Sequence, residues 1–151
     1  MKNFSVTIIL ILASFFLINC SSKNENLIKP KKTIPLELLY KEAYKNFEQG
    51  KYQDAVELFQ EVEKNYGYTK WGAKASLLKA YIYYDSARYI EALETLKNFK
   101  KKHSGSADLA YVEYLIAICL FEQINVNSKD QTSAKLSLYQ FNKFIKNYPN
   151  T

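Results

Sequence analysis

Small and aromatic residues recur along this chain on a fixed period. Ala43, Tyr44 and Phe47 are matched by Ala80, Tyr81 and Tyr84, then by Ala117, Ile118 and Phe121, a repeat of 37 residues. Each triple occupies i, i+1 and i+4, on one side of a helix. A second set follows each triple: Ala55, Phe59, Val62 and Tyr66; Ala92, Leu96, Phe99 and His103; Ser137, Phe141, Phe144 and Tyr148. These fall at i, i+4, i+7 and i+11, one apolar stripe on an amphipathic helix. The pattern predicts three helical hairpins, and recurrence at this length marks units that bury their cores by stacking.

Punctuation residues set the boundaries. The first helix is expected from after Pro35 to Gln49, with Gly50 supplying the permissive C-terminal turn. The second spans Tyr52 to Asn65, and Gly67-Tyr68-Thr69 breaks it. The third begins at Trp71 and ends near Ser86; the fourth runs from Tyr89 to Lys102, with Lys100, Lys101 and Lys102 at the negative end of its dipole. After Ser104-Gly105-Ser106 the fifth runs to about Gln123, with Ser106 or Asp108 as N-cap. The sixth covers Thr132 to Asn147. Ala43 to Ala55 and Ala80 to Ala92 are each 12 residues, but Ala117 to Ser137 is 20, so an insertion sits around Asn125 to Gln131. No capping helix follows Tyr148 to Thr151, although a solenoid needs a polar cap; the sequence is therefore expected to be a piece of a longer protein.

Helices paired by a short turn, small where backbones approach and bulky elsewhere, resemble the tetratricopeptide (TPR) hairpin, whose usual length is about 34 residues. Leu39, Ser76 and Glu113 stand where that repeat carries its first-helix Trp, so the resemblance rests on the turn and the second helix. The fold class implied is all-α, a TPR-like solenoid of about three hairpins over residues 36–151. Only four Gly and three Pro are present, which argues against an all-β fold of many tight turns.

The N-terminus has a different character. Lys2 precedes an apolar run from Val6 to Ile18, too short for a spanning helix of about 20 residues and organised as an export signal. It ends in Leu17-Ile18-Asn19-Cys20, which resembles the lipobox of bacterial lipoproteins, in which the cysteine is acylated and becomes the first mature residue. Residues 1–19 are read as the signal peptide, with Cys20 as the lipidation site. Ser21, by analogy with sorting in Gram-negative bacteria, implies carriage to the outer membrane. Residues 20–35 are polar and basic, with Pro30 and Pro35, and read as a flexible tether.

Reactive chemistry is sparse. The lone histidine, His103, occupies the slot of Tyr66 and Tyr148, so packing or capping is expected of it. With Cys20 acylated, Cys119 is the one free thiol and reads as a small core residue. No phosphate loop, metal-spaced His or Cys pair, or serine nucleophile motif is present, so no catalytic site, cofactor or metal is expected. The net charge of +6 is spread along the chain apart from Lys29 to Lys32 and Lys100 to Lys102, which disfavours a nucleic-acid partner and leaves anionic headgroups or acidic partners open.

The 13 tyrosines are the distinctive resource. Tyr40, Tyr81, Tyr111 and Tyr114 lie on first helices, the concave lining of a TPR array, and are candidates for a peptide groove. Tyr44, Tyr81 and Tyr84 also fall on the repeating stripe, where core packing is the expected role. Glu48, Asp85 and Glu122 recur just beyond the stripe as a solvated edge.

The succession Phe47-Glu48-Gln49-Gly50-Lys51-Tyr52-Gln53-Asp54-Ala55, Ala80-Tyr81-Ile82-Tyr83-Tyr84, Ala110-Tyr111-Val112-Glu113-Tyr114-Leu115, the insertion with Glu122-Gln123-Ile124 and Asp130-Gln131, and the ending Phe141 to Pro149 resembles the BamD family. These are the TPR lipoproteins of the outer-membrane β-barrel assembly machinery. The resemblance runs from Cys20 to Thr151 and corresponds to the first three of about five repeats. It implies a non-enzymatic scaffold, lipid-anchored in the outer membrane and facing the periplasm. The partners implied are the barrel-forming insertase, other lipoproteins of the machinery and unfolded outer-membrane proteins. A different periplasmic TPR lipoprotein, a pilotin or a cell-envelope division coordinator, is the alternative reading.

Overall fold

The structure, a computed structural model, describes residues 34–124 and 131–150. The signal peptide, Cys20, the tether up to Thr33, the inserted residues 125–130 and Thr151 lie outside them. Six helices follow one another: α1 (Leu36–Glu48), α2 (Tyr52–Tyr66), α3 (Lys70–Asp85), α4 (Tyr89–Lys102), α5 (Leu109–Glu122) and α6 (Thr132–Asn147). Among the described residues there is no strand, and no helix is long and apolar enough to cross a membrane.

Each helix packs chiefly on those before and after it, which makes an array of three hairpins. Ala43, Ala80 and Ala117 are each 0% exposed, so the repeated small residue occupies the same close contact in every unit. Ala55 and Ala92 are also fully buried, with Ser137 in their place in the third hairpin, where its hydroxyl donates to the Ala117 carbonyl at 3.2 Å. Phe59, Val62, Leu96 and Phe99 fill the cores, each side chain contributing about 1.5–3 kcal/mol of apolar burial. One core cluster joins α1 and α2 to Ala75 and Ile82 of α3; the next joins Ala73 and Ala80 of α3 to α4 and to Val112–Cys119 of α5. Each core is thus completed by the following hairpin.

The turn inside the first hairpin takes a left-handed residue. Gly50 has φ +71, and the Lys51 and Gly50 amides donate to the carbonyls of Asn46 and Phe47 at 2.9 and 3.0 Å, a Schellman closure of α1. Between α2 and α3 the chain turns sharply. The Thr69 hydroxyl accepts the Gly72 amide at 3.2 Å, which starts α3 at Lys70. A side chain at Gly72 would meet the backbone of Tyr66 and Gly67 at 2.4–2.9 Å, so this junction depends on a residue without a Cβ. Before α5, Ser106 and Asp108 bond to one another at 3.0 Å and the Ser106 hydroxyl accepts the Asp108 amide at 3.2 Å. They order a turn that delays α5 to Leu109.

The three positions where a TPR carries Trp all point inward: Leu39 is 1% exposed, Ser76 3% and Glu113 6%. At the third, the carboxylate lies between helices. Lys100 of α4 and Gln140 of α6 both bond it, and the Lys143 ammonium of α6 is 3.7 Å away.

Candidate peptide-binding face

Aromatic rings form a path over the first helices. Tyr40 stacks on Tyr44 at 6.5 Å between centroids, Tyr44 neighbours Phe47 at 6.0 Å, and Phe47 meets Tyr81 of the next hairpin edge-on at 6.2 Å. In the third hairpin Tyr114 approaches Phe144 at 5.8 Å, and Phe144 reaches Tyr148 at 5.6 Å. Burial raises the Tyr111 phenol above its ordinary value, and the nearby Tyr81 raises it further.

The candidate residues divide by role. Tyr81, Tyr111 and Tyr114 are 37%, 43% and 43% exposed. Tyr40 is half-buried, edge-on to Trp71 at 4.8 Å and to Phe59 at 5.8 Å, so it supports the face from below. Burial, then the nearby Tyr44, lifts its phenol above the usual range. Of the stripe tyrosines expected in the core, only Tyr84 packs on it; Tyr44 and Tyr81 stand on the surface. The reason is angular. Successive helical residues differ by about 100°, so with the alanine of each triple at the contact centre the next residue is turned to its margin.

The face opens between α1 and α3 into a cleft of about 480 Å³, walled by Tyr40, Tyr44 and Trp71 and rimmed by Glu37, Lys41 and Lys45. The Lys70 and Lys74 ammoniums each lie 5.9 Å from the Trp71 ring, a cation–π geometry. Neither Trp71 nor Phe144 was singled out by the helical pattern as part of a groove, because each belongs to a neighbouring helix whose placement needs the stacked array.

The remaining candidates have packing roles. His103 ends α4, its ring 4.8 Å from Phe99; burial first and Lys102 second hold its imidazole below the ordinary pKa. Cys119 is fully buried, and burial pushes its thiol up to about 11. Glu48, Asp85 and Glu122 are exposed, as a solvated edge requires. Among the described residues no three His, Cys, Asp or Glu side chains group in a way that holds a metal. The arrangement offers exposed aromatic area on the first helices, bordered by charged side chains.

Residues 33–151 match the YfiO family, described as an outer membrane lipoprotein. The outer membrane protein assembly factor BamD of Caulobacter vibrioides is 31% identical over 147 residues, which is 97% of this chain and 48% of that protein. Its namesake in Rickettsia prowazekii is 31% identical over 78% of this chain and 47% of its own length. That of Neisseria gonorrhoeae is 27% identical over 58% of this chain and 33% of its own. The chain thus spans about half the length, or less, of the curated relatives it matches. With most of its sequence and its whole helical array inside the match, the chain belongs to the YfiO family of outer membrane lipoproteins, alongside relatives named BamD.

Proposed function

We propose that this chain is a non-enzymatic scaffold in outer-membrane β-barrel assembly, held to the outer membrane by acylation of Cys20 and facing the periplasm. The observation that carries the reading is the row of rings Tyr40, Tyr44, Phe47 and Tyr81 across the first two hairpins, with Tyr111 and Tyr114 exposed on the first helix of the third. Unfolded barrel strands alternate apolar and polar residues and carry aromatic girdles. An extended segment of this kind sets its rings among the tyrosines while phenol hydroxyls meet its backbone groups. Holding such a segment needs no bond-making, in keeping with the buried Cys119 and the packed His103.

The relatives' name, outer membrane protein assembly factor, favours the barrel-forming insertase and its companion lipoproteins as partners over a secretin or a division enzyme. Affinity purification of the acylated protein from detergent extracts tests this. Recovery of the insertase is the expected result; recovery of a secretin or a peptidoglycan enzyme in its place would sink the proposal.

A further inference from the structure

The two edges of the array differ in charge. In a stack of antiparallel hairpins the C-terminal ends of α2 and α4, the turns joining hairpins and the entry to α1 at Ile34 share one edge, while the turns at Gly50 and Ala87 share the other. The 14 residues of α4 separate the edges by about 20 Å. The joining edge carries Lys64, Lys70, Lys101 and Lys102. Lys102 shares an open cleft of about 370 Å³ with Lys64, Tyr68 and Thr69.

These cations are largely uncompensated. Among the described residues Lys64, Lys101 and Lys102 have no ion-pair partner, and Lys70 lies against Trp71. The carboxylates nearby are otherwise engaged: Glu63 with Lys79, Glu113 with Lys100, and Asp108 with the Ser106 hydroxyl. Helix-dipole complementation accounts for one lysine in a last turn, not for an exposed pair beside those of the adjoining hairpin. At the crest of this edge Tyr68 is 87% exposed, an amphipathic ring of the kind that settles at a membrane interface.

We propose that this joining edge is a membrane-facing surface that binds the phosphates of anionic lipid headgroups through Lys64, Lys101 and Lys102, with Tyr68 at the interface. Family membership places the protein at a lipid surface, and the segment that holds Cys20 joins the array at this edge. Contact with headgroups orients the folded part, since lysines near an anionic surface are drawn to it. The aromatic face then lies across the membrane normal and not flat against the lipid.

Because Cys119 is buried and its thiol poorly ionised, a cysteine placed on the surface is labelled selectively. The acylated full chain carries an environment-sensitive fluorophore at Ser104→Cys, on the joining edge, or at Ser86→Cys, on the other; both positions are exposed. It is anchored in vesicles of phosphatidylcholine with or without phosphatidylglycerol, each containing a lipid-borne quencher. The expected result is quenching several-fold stronger at position 104 than at 86 on phosphatidylglycerol vesicles. That difference disappears in phosphatidylcholine, in the Lys101→Glu/Lys102→Glu variant, and at about 1 M salt, where the screening length is about 3 Å. Equal quenching at both positions, or a difference indifferent to lipid charge and to charge reversal, overturns the proposal. So does selective capture of an acidic protein by the lysines without lipid dependence. Circular dichroism verifies that the variants are folded.

Discussion

Ala87 adopts the left-handed conformation that Gly50 adopts one repeat earlier: φ is +57 at the alanine and +71 at the glycine. The same closure surrounds both, since the Arg88 and Ala87 amides reach the carbonyls of Tyr83 and Tyr84 at 2.7 and 2.9 Å. An alanine there costs about 1–2 kcal/mol, partly offset by the lower entropy of its unfolded state, about 0.4–1 kcal/mol. Ala87→Gly is therefore expected to stabilise the protein by about 0.5–1 kcal/mol. The reverse change, Gly50→Ala, meets no neighbouring atoms and should destabilise by a similar amount through backbone strain alone. Urea denaturation of the two variants tests the pair, and a destabilised Ala87→Gly would refute it.

At Gly72 the obstacle is steric. A Cβ would stand 2.4 Å from the Tyr66 carbonyl oxygen and 2.7 Å from the Gly67 Cα, and backbone cannot step aside as a flexible side chain does. Gly72→Ala should cost about 1–3 kcal/mol. Thr69→Ala, which removes the cap beside it, should cost about 1 kcal/mol. Thermal unfolding ranks the two; a Gly72→Ala variant as stable as the parent would show that the α2–α3 junction is looser than described.

Glu113 should make the third hairpin sensitive to acid. Burial resists its ionisation, but the Lys100 bond, with Lys143 and Gln140, outweighs this and holds the carboxyl below its ordinary value. A group depressed on folding binds more protons when unfolded, so its contribution is present above the ordinary carboxylate pKa and disappears as pH falls through the folded value. Glu113→Leu should cost about 1–3 kcal/mol at neutral pH, less than a fully buried pair because the lysines are partly exposed. It should also flatten the loss of stability below about pH 5. Denaturation midpoints of parent and variant at pH 7 and pH 4 provide the check, and parallel losses would remove Glu113 as the cause.

Tyrosines of the aromatic path separate by experiment into supports and contacts. Tyr40→Ala, which removes a ring packed on Trp71 and Phe59, should cost about 2–4 kcal/mol. Tyr81→Ala and Tyr111→Ala, at partly exposed rings, should cost about 1 kcal/mol or less while weakening capture of an unfolded barrel segment about tenfold together. Fluorescence anisotropy with a labelled strand peptide reads the second effect. Unchanged affinity in the double variant would move binding away from this face.

Much of this architecture was legible in the chain. The alanine period of 37 residues gave the stacking, because only a small side chain fits where helices cross, and all three alanines are wholly buried. Helix limits read from Gly50, Gly67 and the Tyr89–Lys102 segment agree with the fold to within a residue or two. Three features were not read. Glu113 was noted as a departure from the TPR pattern, yet its register with Leu39 and Ser76 already required an inward side chain; its partners on α4 and α6 emerge only on stacking. Ala87, at Gly50 plus one repeat, carried the signal for a left-handed turn, but alanine does not advertise that conformation. The surface position of Tyr44 escaped, and Tyr81 was assigned both to the groove and to the core, because a stripe of three residues spans more of a helix than its contact does.

The outer side of α6 follows a register that its sister helices use differently. Leu138 stands where Val56 and Leu93 stand in α2 and α4; those are 4% and 8% exposed, and Leu138 is 63%. With Ile145 at 62%, seven residues further on, it leaves an oily seam on one flank. The flank of α6 is accordingly sticky in the manner of a monomer face in a polymer, and isolated preparations of residues 34–150 should self-associate with rising concentration unless that flank is made hydrophilic.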